Sequence, residues 1–235
     1  MRMLSDVMED YLKAIYELQE DAGPPVSTSQ VAGYLDVTPP TATSMLEKLA
    51  DRGFVEREKY EGVELTEEGE TVALEVLRHH RLLESYLTEH LDYDWSEVHD
   101  EADVLEHHIS EEFERRVAEA LDDPDVDPHG DPIPGEDLSR PECDDSRCLS
   151  EVGADETVEV VRVRDRDDEE LRYLQSAGIA PGTVLRVEEV APIGMIVLGI
   201  GGETQHLPEG VAETIRVRPV SSDDAYGAPE GVSEP

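Results

Sequence analysis

Apolar residues recur at helical spacing through the first half of the chain and alternate at strand spacing through the second. Val7, Tyr11, Ile15 and Leu18 predict a first helix from Leu4 to about Gln19, broken by Gly23-Pro24-Pro25. In "VSTSQVAGYLDVTPPTATSMLEKLADRGFVEREKYEGVELTEEGE", Ser27 is placed to cap a helix running through Leu35. A short turn at Asp36-Val37-Thr38 leads to another helix that begins at Pro39 or Pro40, where proline is tolerated, and ends at Gly53. That helix turns Ala42, Met45, Leu46 and Leu49 inward. Phe54-Val55 and Val63-Glu64-Leu65 read as two short strands. Two helices with a tight turn and a following hairpin describe a winged helix-turn-helix. Two long helices are expected next, from Thr66 to about Leu91 and from about Ser96 to Leu121. Residues 122–156 are rich in Asp, Pro and Gly and read as a linker. "TVEVVRVRD", "GTVLRVEEV", "GMIVLGIGG" and "ETIRVRPV" then alternate like strands, with a short helix from Asp168 to Ala177 between the first two. This is a small β-barrel of SH3-like size, and the last stretch, "SSDDAYGAPEGVSEP", has no apolar period.

The fold class is therefore mainly α with a small β part. Its expected segments are a DNA-binding winged helix over 1–72, a helical metal-binding and dimerisation domain over 73–140, a linker over 141–156, an SH3-like domain over 157–220 and a disordered tail over 221–235. Composition adds one strong constraint: among 235 residues, 58 Asp and Glu face 19 Lys and Arg, a formal charge of −39. The acids lie within periodic segments and apolar residues make up 38%, so the charge marks a folded carboxylate-rich surface rather than disorder. Such a surface resembles proteins of salt-loving archaea, whose molar salt screens self-repulsion. No run of about 18 apolar residues or signal-peptide core is present, and two cysteines are too few for a disulfide framework. A soluble cytoplasmic protein with no membrane partner is expected.

Three features carry chemistry. The helix expected to read the DNA major groove begins Thr38, Pro39, Pro40, Thr41, Ala42, Thr43, Ser44. Small hydroxyl side chains at a helix start reach phosphates and base edges. With Ser27 they form the expected DNA face, and Arg52, Arg57 and Lys59 are available for the backbone. The competing reading is a winged helix used only for protein contacts. The second feature is "HDEADVLEHHIS", residues 99–110, which places His99, Asp103, Glu106 and His107 on one helical stripe. Two imidazoles and two carboxylates are a donor set for a divalent cation, against the plainer reading of a solvated charged face. Third, His80 and Glu84 stand at i and i+4 on the preceding helix.

The strings "EDYLKAIYEL", "VTPPTATSMLEKLADRGFV", "LTEEGE", "RHHRLLESYL", "VHDEADVLEHHIS" and "GDPIPG", in this order, resemble the diphtheria-toxin-repressor family of metal-dependent transcriptional regulators over residues 3–218. The resemblance implies a homodimeric repressor that binds a palindromic double-stranded operator, with Mn²⁺ or Fe²⁺ as corepressor at two sites per subunit. It assigns a primary site to Asp10, Asp103, Glu106 and His107. The ancillary site falls on His80, Glu84 and His99, with Asp167 and Glu170 as further donors. The iron-sensing branch has sulfur ligands where this chain has Asp10 and Asp103, and the manganese-sensing branch has a carboxylate one turn after Asp10, where this chain has Lys13. Other readings remain: a dinuclear metalloenzyme built on helical His and carboxylate pairs, and a metal-independent winged-helix regulator. His79, His90, His108, His129 and His206 have no matched role, and the pair Cys143 and Cys148 is read as linker thiols without function, with a metal clip or a labile disulfide as the alternatives.

Overall fold

The computed structural model describes residues 4–58, 62–141, 145–164 and 168–220. They divide into two compact units. One draws on residues 1–92, 100–127 and 132–142; the other on 93–99, 128–131 and 143–235.

In the first unit, α1 (Asp6–Ala22) buries Met8, Tyr11, Leu12 and Ile15, spaced for one helical face. Val7, expected on that face, is half exposed instead, because the inward stripe lies one residue later. A capping box starts α2 (Thr28–Tyr34): Gln30 N–H donates to Ser27 Oγ at 3.2 Å, and Ser27 N–H donates to Gln30 Oε1 at 2.8 Å. Thr38 caps α3 (Pro39–Asp51), which carries its two prolines in the first turn and buries Ala42, Leu46 and Leu49. β1 (Val55–Glu58) and β2 (Gly62–Leu65) pair antiparallel, and Val26 bridges to Val63. These are the expected winged-helix elements in the expected order.

Helix α4 (Glu67–Leu91) starts at the Thr66 cap with three acids in its first turn, which suits the positive end of the helix dipole. Its early residues Ala73, Leu74 and Leu77 complete the winged-helix core, whereas Leu82 packs with Val117, Ala118, Leu121 and Ile133. Arg78 and Arg81 donate to the carbonyls of Pro134 (2.7 Å) and Pro132 (2.6 Å), which fixes the "DPIPG" stretch against α4.

The long helix expected from Ser96 to Leu121 is two helices, α5 (Val98–Leu105) and α6 (Glu111–Ala120). Ser110 starts the second: its Oγ accepts from Phe113 N–H at 3.3 Å, and Glu111, Glu112 and Glu114 fill the first turn. Glu106 and His107 therefore lie in the turn that follows α5, not on a continuous helical stripe.

The second unit contains β3 (Arg147–Cys148), a 3₁₀ turn (Leu149–Glu151), β4 (Thr157–Val163), α7 (Asp168–Ser176), β5 (Val184–Ala191), β6 (Met195–Ile200), β7 (Glu203–Pro208), α8 (Glu209–Ala212) and β8 (Ile215–Pro219). Its sheet is antiparallel in the order β3-β8-β4-β5-β6-β7. Val158, Val160, Leu185, Val187, Ile196, Leu198, Ile215 and Val217 alternate into its core, giving the SH3-like domain that the pattern predicts. Two strands go beyond that expectation. β7 pairs with β6 from Met195↔Pro208 to Ile200↔Glu203, and β3 lies inside the stretch expected as linker. Leu149 and Val152 are fully buried there, so the later part of that stretch belongs to the sheet's core.

Candidate metal centre

Four segments of the first unit bring ionisable side chains together. Helix α1 contributes Glu9 and Asp10 and, about one turn later, Lys13. Helix α4 contributes His80 and Glu84, α5 contributes Asp103, and the turn after it contributes Glu106 and His107. That turn is held from beneath, because His79 Nδ1–H donates to the Glu106 carbonyl at 3.0 Å.

His107 lies between the two acids of α1: Nδ1 is 2.8 Å from Glu9 Oε2, and Nε2 is 2.9 Å from Asp10 Oδ1. Nε2 is also 3.5 Å from Glu106 Oε1. Burial disfavours the imidazolium, but hydrogen bonds to Asp10 and Glu9 and the charge of Glu106 outweigh it, and the His107 pKa rises to about 10.

On the other side of Glu106, Lys13 Nζ donates to both carboxylate oxygens at 2.8 and 2.9 Å, and to Asp103 Oδ1 at 2.8 Å. His80 Nδ1 lies 2.5 Å from Glu106 Oε2 and 3.3 Å from Asp103 Oδ1, and its Nε2 is 3.0 Å from Glu84 Oε1. Burial and Lys13 both oppose a charge on His80, yet Glu84, Asp103 and Glu106 hold its pKa well above the ordinary imidazole value. Glu84, Glu106 and His80 are buried, whereas the Asp10 side chain is 40% exposed and opens the cluster to solvent.

One donor atom each from Asp10, Glu106 and His107 lies within 4.8 Å of the others. Adjacent ligands of an octahedral ion with bonds of about 2.1 Å stand about 3 Å apart. The 2.9 Å separation of His107 Nε2 from Asp10 Oδ1 matches that edge and Glu106 Oε1 lies farther off at 3.5 Å; two carboxylates and an imidazole suit a hard divalent ion here.

The remaining expected residues are placed as follows. His99 stands one turn before Asp103 on α5 and is half buried. Glu170, on α7, accepts a hydrogen bond from Thr214 Oγ1 within the second unit. Asp167 and Lys59 lie outside the described residues. Of the expected DNA face, Thr38, Pro39, Pro40, Thr41 and Ser44 are exposed and Thr43 is half-buried, all in the first turns of α3 or its cap. Ser27 is also exposed, with its hydroxyl engaged in the α2 cap. Arg57 donates to Glu47 Oε1 at 3.0 Å.

Residues 3–63 match the family model described as the iron dependent repressor N-terminal DNA binding domain, and residues 66–135 match the iron dependent repressor metal binding and dimerisation domain. Residues 147–219 match the FeoA domain. The iron-dependent repressor IdeR of Mycobacterium tuberculosis is 34% identical over 232 residues, which cover 94% of this chain and all of that protein. The chain belongs to the iron-dependent repressor family.

The diphtheria toxin repressor of Corynebacterium diphtheriae is 32% identical, with 92% of this chain and 99% of that protein covered. A solved structure of a manganese-dependent transcriptional repressor in complex with manganese superposes with a TM-score of 0.85 at 39% identity, covering 91% of this chain and all of that one. These relatives of the iron-dependent repressor family are named as metal-dependent regulators, and nothing among them supports the metalloenzyme or the metal-independent reading.

Two residues of this family member enter the cluster without having been assigned a ligand role from sequence. Glu9 bonds His107, and Lys13 bonds Asp103 and Glu106. The spacing of Asp6, Glu9, Asp10 and Lys13 along one face of α1 is the signal that could have found them. Among the unassigned histidines, His79 holds the turn and His129 Nε2–H donates to the Trp95 carbonyl at 2.7 Å, both as buried packing residues.

Proposed function

We propose that this chain is a metal-activated transcriptional repressor, with Mn²⁺ or Fe²⁺ as corepressor, acting as a homodimer on a palindromic double-stranded DNA site in the cytoplasm. The observation that carries the reading is the 2.9 Å approach of Asp10, on the first helix of the winged-helix core, to His107 in the turn after α5. An ion there would be held by Asp10, Glu106 and His107, with Asp103 and Glu9 beside them. It would supply coordination bonds in place of the proton on His107, tying the DNA-binding helices to the turn.

Ion binding biases the protein only as far as its affinity differs between arrangements of α1. The favoured arrangement would set the two recognition helices of a dimer about 34 to 36 Å apart, matching successive major grooves. Thr38, Pro39, Pro40, Thr41, Thr43 and Ser44 would face the bases and phosphates, with Ser27, Arg57 and Lys59 toward the backbone. A second ion per subunit is proposed on the Nε2 side of His80, with Glu84; the parts of His99, Asp167 and Glu170 in it rest on the family resemblance. Genes of metal uptake or storage are the expected targets, and no catalytic role is proposed.

The test is selection of DNA fragments by the purified full-length protein in Mn²⁺ and in chelator. A palindromic site enriched only with metal supports the reading; equal enrichment in both conditions contradicts it.

A further inference from the structure

We propose that the ammonium of Lys13 is a fixed internal cation that fills the position between Asp103, Glu106 and His80, so that the primary cluster takes a single divalent ion rather than a bridged pair. The proposal rests on the metal-activated reading above and specifies how many ions that site takes.

A carboxylate such as Glu106 has two oxygens and can bridge two cations. Its Oε1 faces His107 Nε2, where the proposed ion would bind. The other side of the carboxylate faces Asp103 and His80, and a second ion would coordinate from there. Lys13 Nζ already stands at that point, 2.8 and 2.9 Å from the two Glu106 oxygens, 2.8 Å from Asp103 Oδ1 and 3.5 Å from His80 Nδ1. An ion bonded to the same oxygens at about 2.1 Å would overlap the ammonium. Lys13 is enclosed, with 12% of its side chain exposed against a Glu106 side chain that is fully buried. Withdrawing the ammonium would leave that carboxylate without the cation that bonds both of its oxygens, which is the costly way to break a buried pair.

Charge points the same way. Lys13 Nζ makes its three short contacts with carboxylate oxygens of Asp103 and Glu106, as an ammonium with three donors does. A tethered monovalent charge thus neutralises Glu106 whether or not metal is present. It also keeps α1 joined to the turn after α5 in the metal-free protein. The ion then acts through Asp10, His107 and the Oε1 atom of Glu106, at the end of the cluster that Asp10 opens to solvent.

The experiment uses the full-length protein loaded with Mn²⁺, followed by equilibrium dialysis and electron paramagnetic resonance. The parent should give an uncoupled Mn²⁺ signal from the primary cluster. Lys13→Glu should take up one additional Mn²⁺ per subunit and show a spin-coupled pair. A coupled pair in the parent, or unchanged stoichiometry in Lys13→Glu, would overturn the proposal while leaving the metal-activated reading intact. No Mn²⁺ binding by the parent would overturn both. Lys13→Met provides a readout without metal: in chelator its melting temperature should fall by several degrees, with Lys13→Arg closer to the parent. An unchanged or higher melting temperature for Lys13→Met would contradict the internal-cation role.

Discussion

Asp10 and His107 are 97 positions apart in sequence and 2.9 Å apart in space, and their chemistry argues for a hard ion. Oxygen and imidazole donors suit Mn²⁺, whereas the sulfur donors of the iron-sensing branch favour softer ions. Mn²⁺ is therefore the expected activator, although raw affinity rises from Mn²⁺ to Fe²⁺ along the Irving–Williams order. Anaerobic DNA-binding titrations with each ion, on the parent and on Asp10→Met with Asp103→Cys, check this. Mn²⁺ should activate the parent and the double variant should shift toward Fe²⁺; a parent that responds to Fe²⁺ and not to Mn²⁺ contradicts the hard-donor argument. Apart from Glu9, the carboxylates and imidazoles of this cluster were readable from spacing and resemblance. The partner of Asp103 was not, because helical spacing says which side chains share a face but not which cation from another helix meets them. The structure brings Asp103 to Lys13 and His80.

Among the elements, α4 shows where packing overrides propensity. Gly69 lies in its first turn, where alanine would favour the helix by about 1 kcal/mol. A Cβ on Gly69 would stand 1.9 Å from the Phe54 carbonyl oxygen, which also accepts from Thr66 N–H at 3.0 Å. The clash is with backbone and cannot be relieved by a side-chain rotation. Gly69→Ala should lower stability by about 1–3 kcal/mol, as overpacking does. Urea or thermal unfolding reads the sign, and a more stable variant would mean that propensity prevails. The same competition explains what the pattern showed and what it hid. Helices α2 to α4 were legible because caps and apolar faces agree, and α1 from its apolar spacing and the Gly23-Pro24-Pro25 stop. The break between α5 and α6 was missed although Ser110, followed by Glu111, Glu112 and Glu114, is a helix-start signal; the histidine and carboxylate stripe ran across it and suggested continuity. β7 was missed because "ETQHLP" is polar at most positions and only Leu207 is buried.

At the scale of the molecule, the charge of −39 sets the conditions for folding and for DNA binding. Self-repulsion among 58 acids weakens as the Debye length falls to about 3 Å at 1 M salt. Melting temperature should therefore rise across a KCl series toward molar concentrations, and a chain most stable at low salt would contradict the reading of its surface. DNA affinity ordinarily falls steeply with salt through counterion release. Here binding is expected to persist at molar KCl, with metal rather than salt as its principal control. The central claim is that an ion at Asp10, Glu106 and His107 switches DNA binding. The most direct measurement is fluorescence anisotropy of an operator duplex with the full-length protein, in chelator and with added Mn²⁺ or Fe²⁺, alongside His107→Ala. The account predicts tight binding by the parent only with metal, and no metal effect in a folded His107→Ala protein. Equal affinity of the parent in chelator and in metal would contradict it.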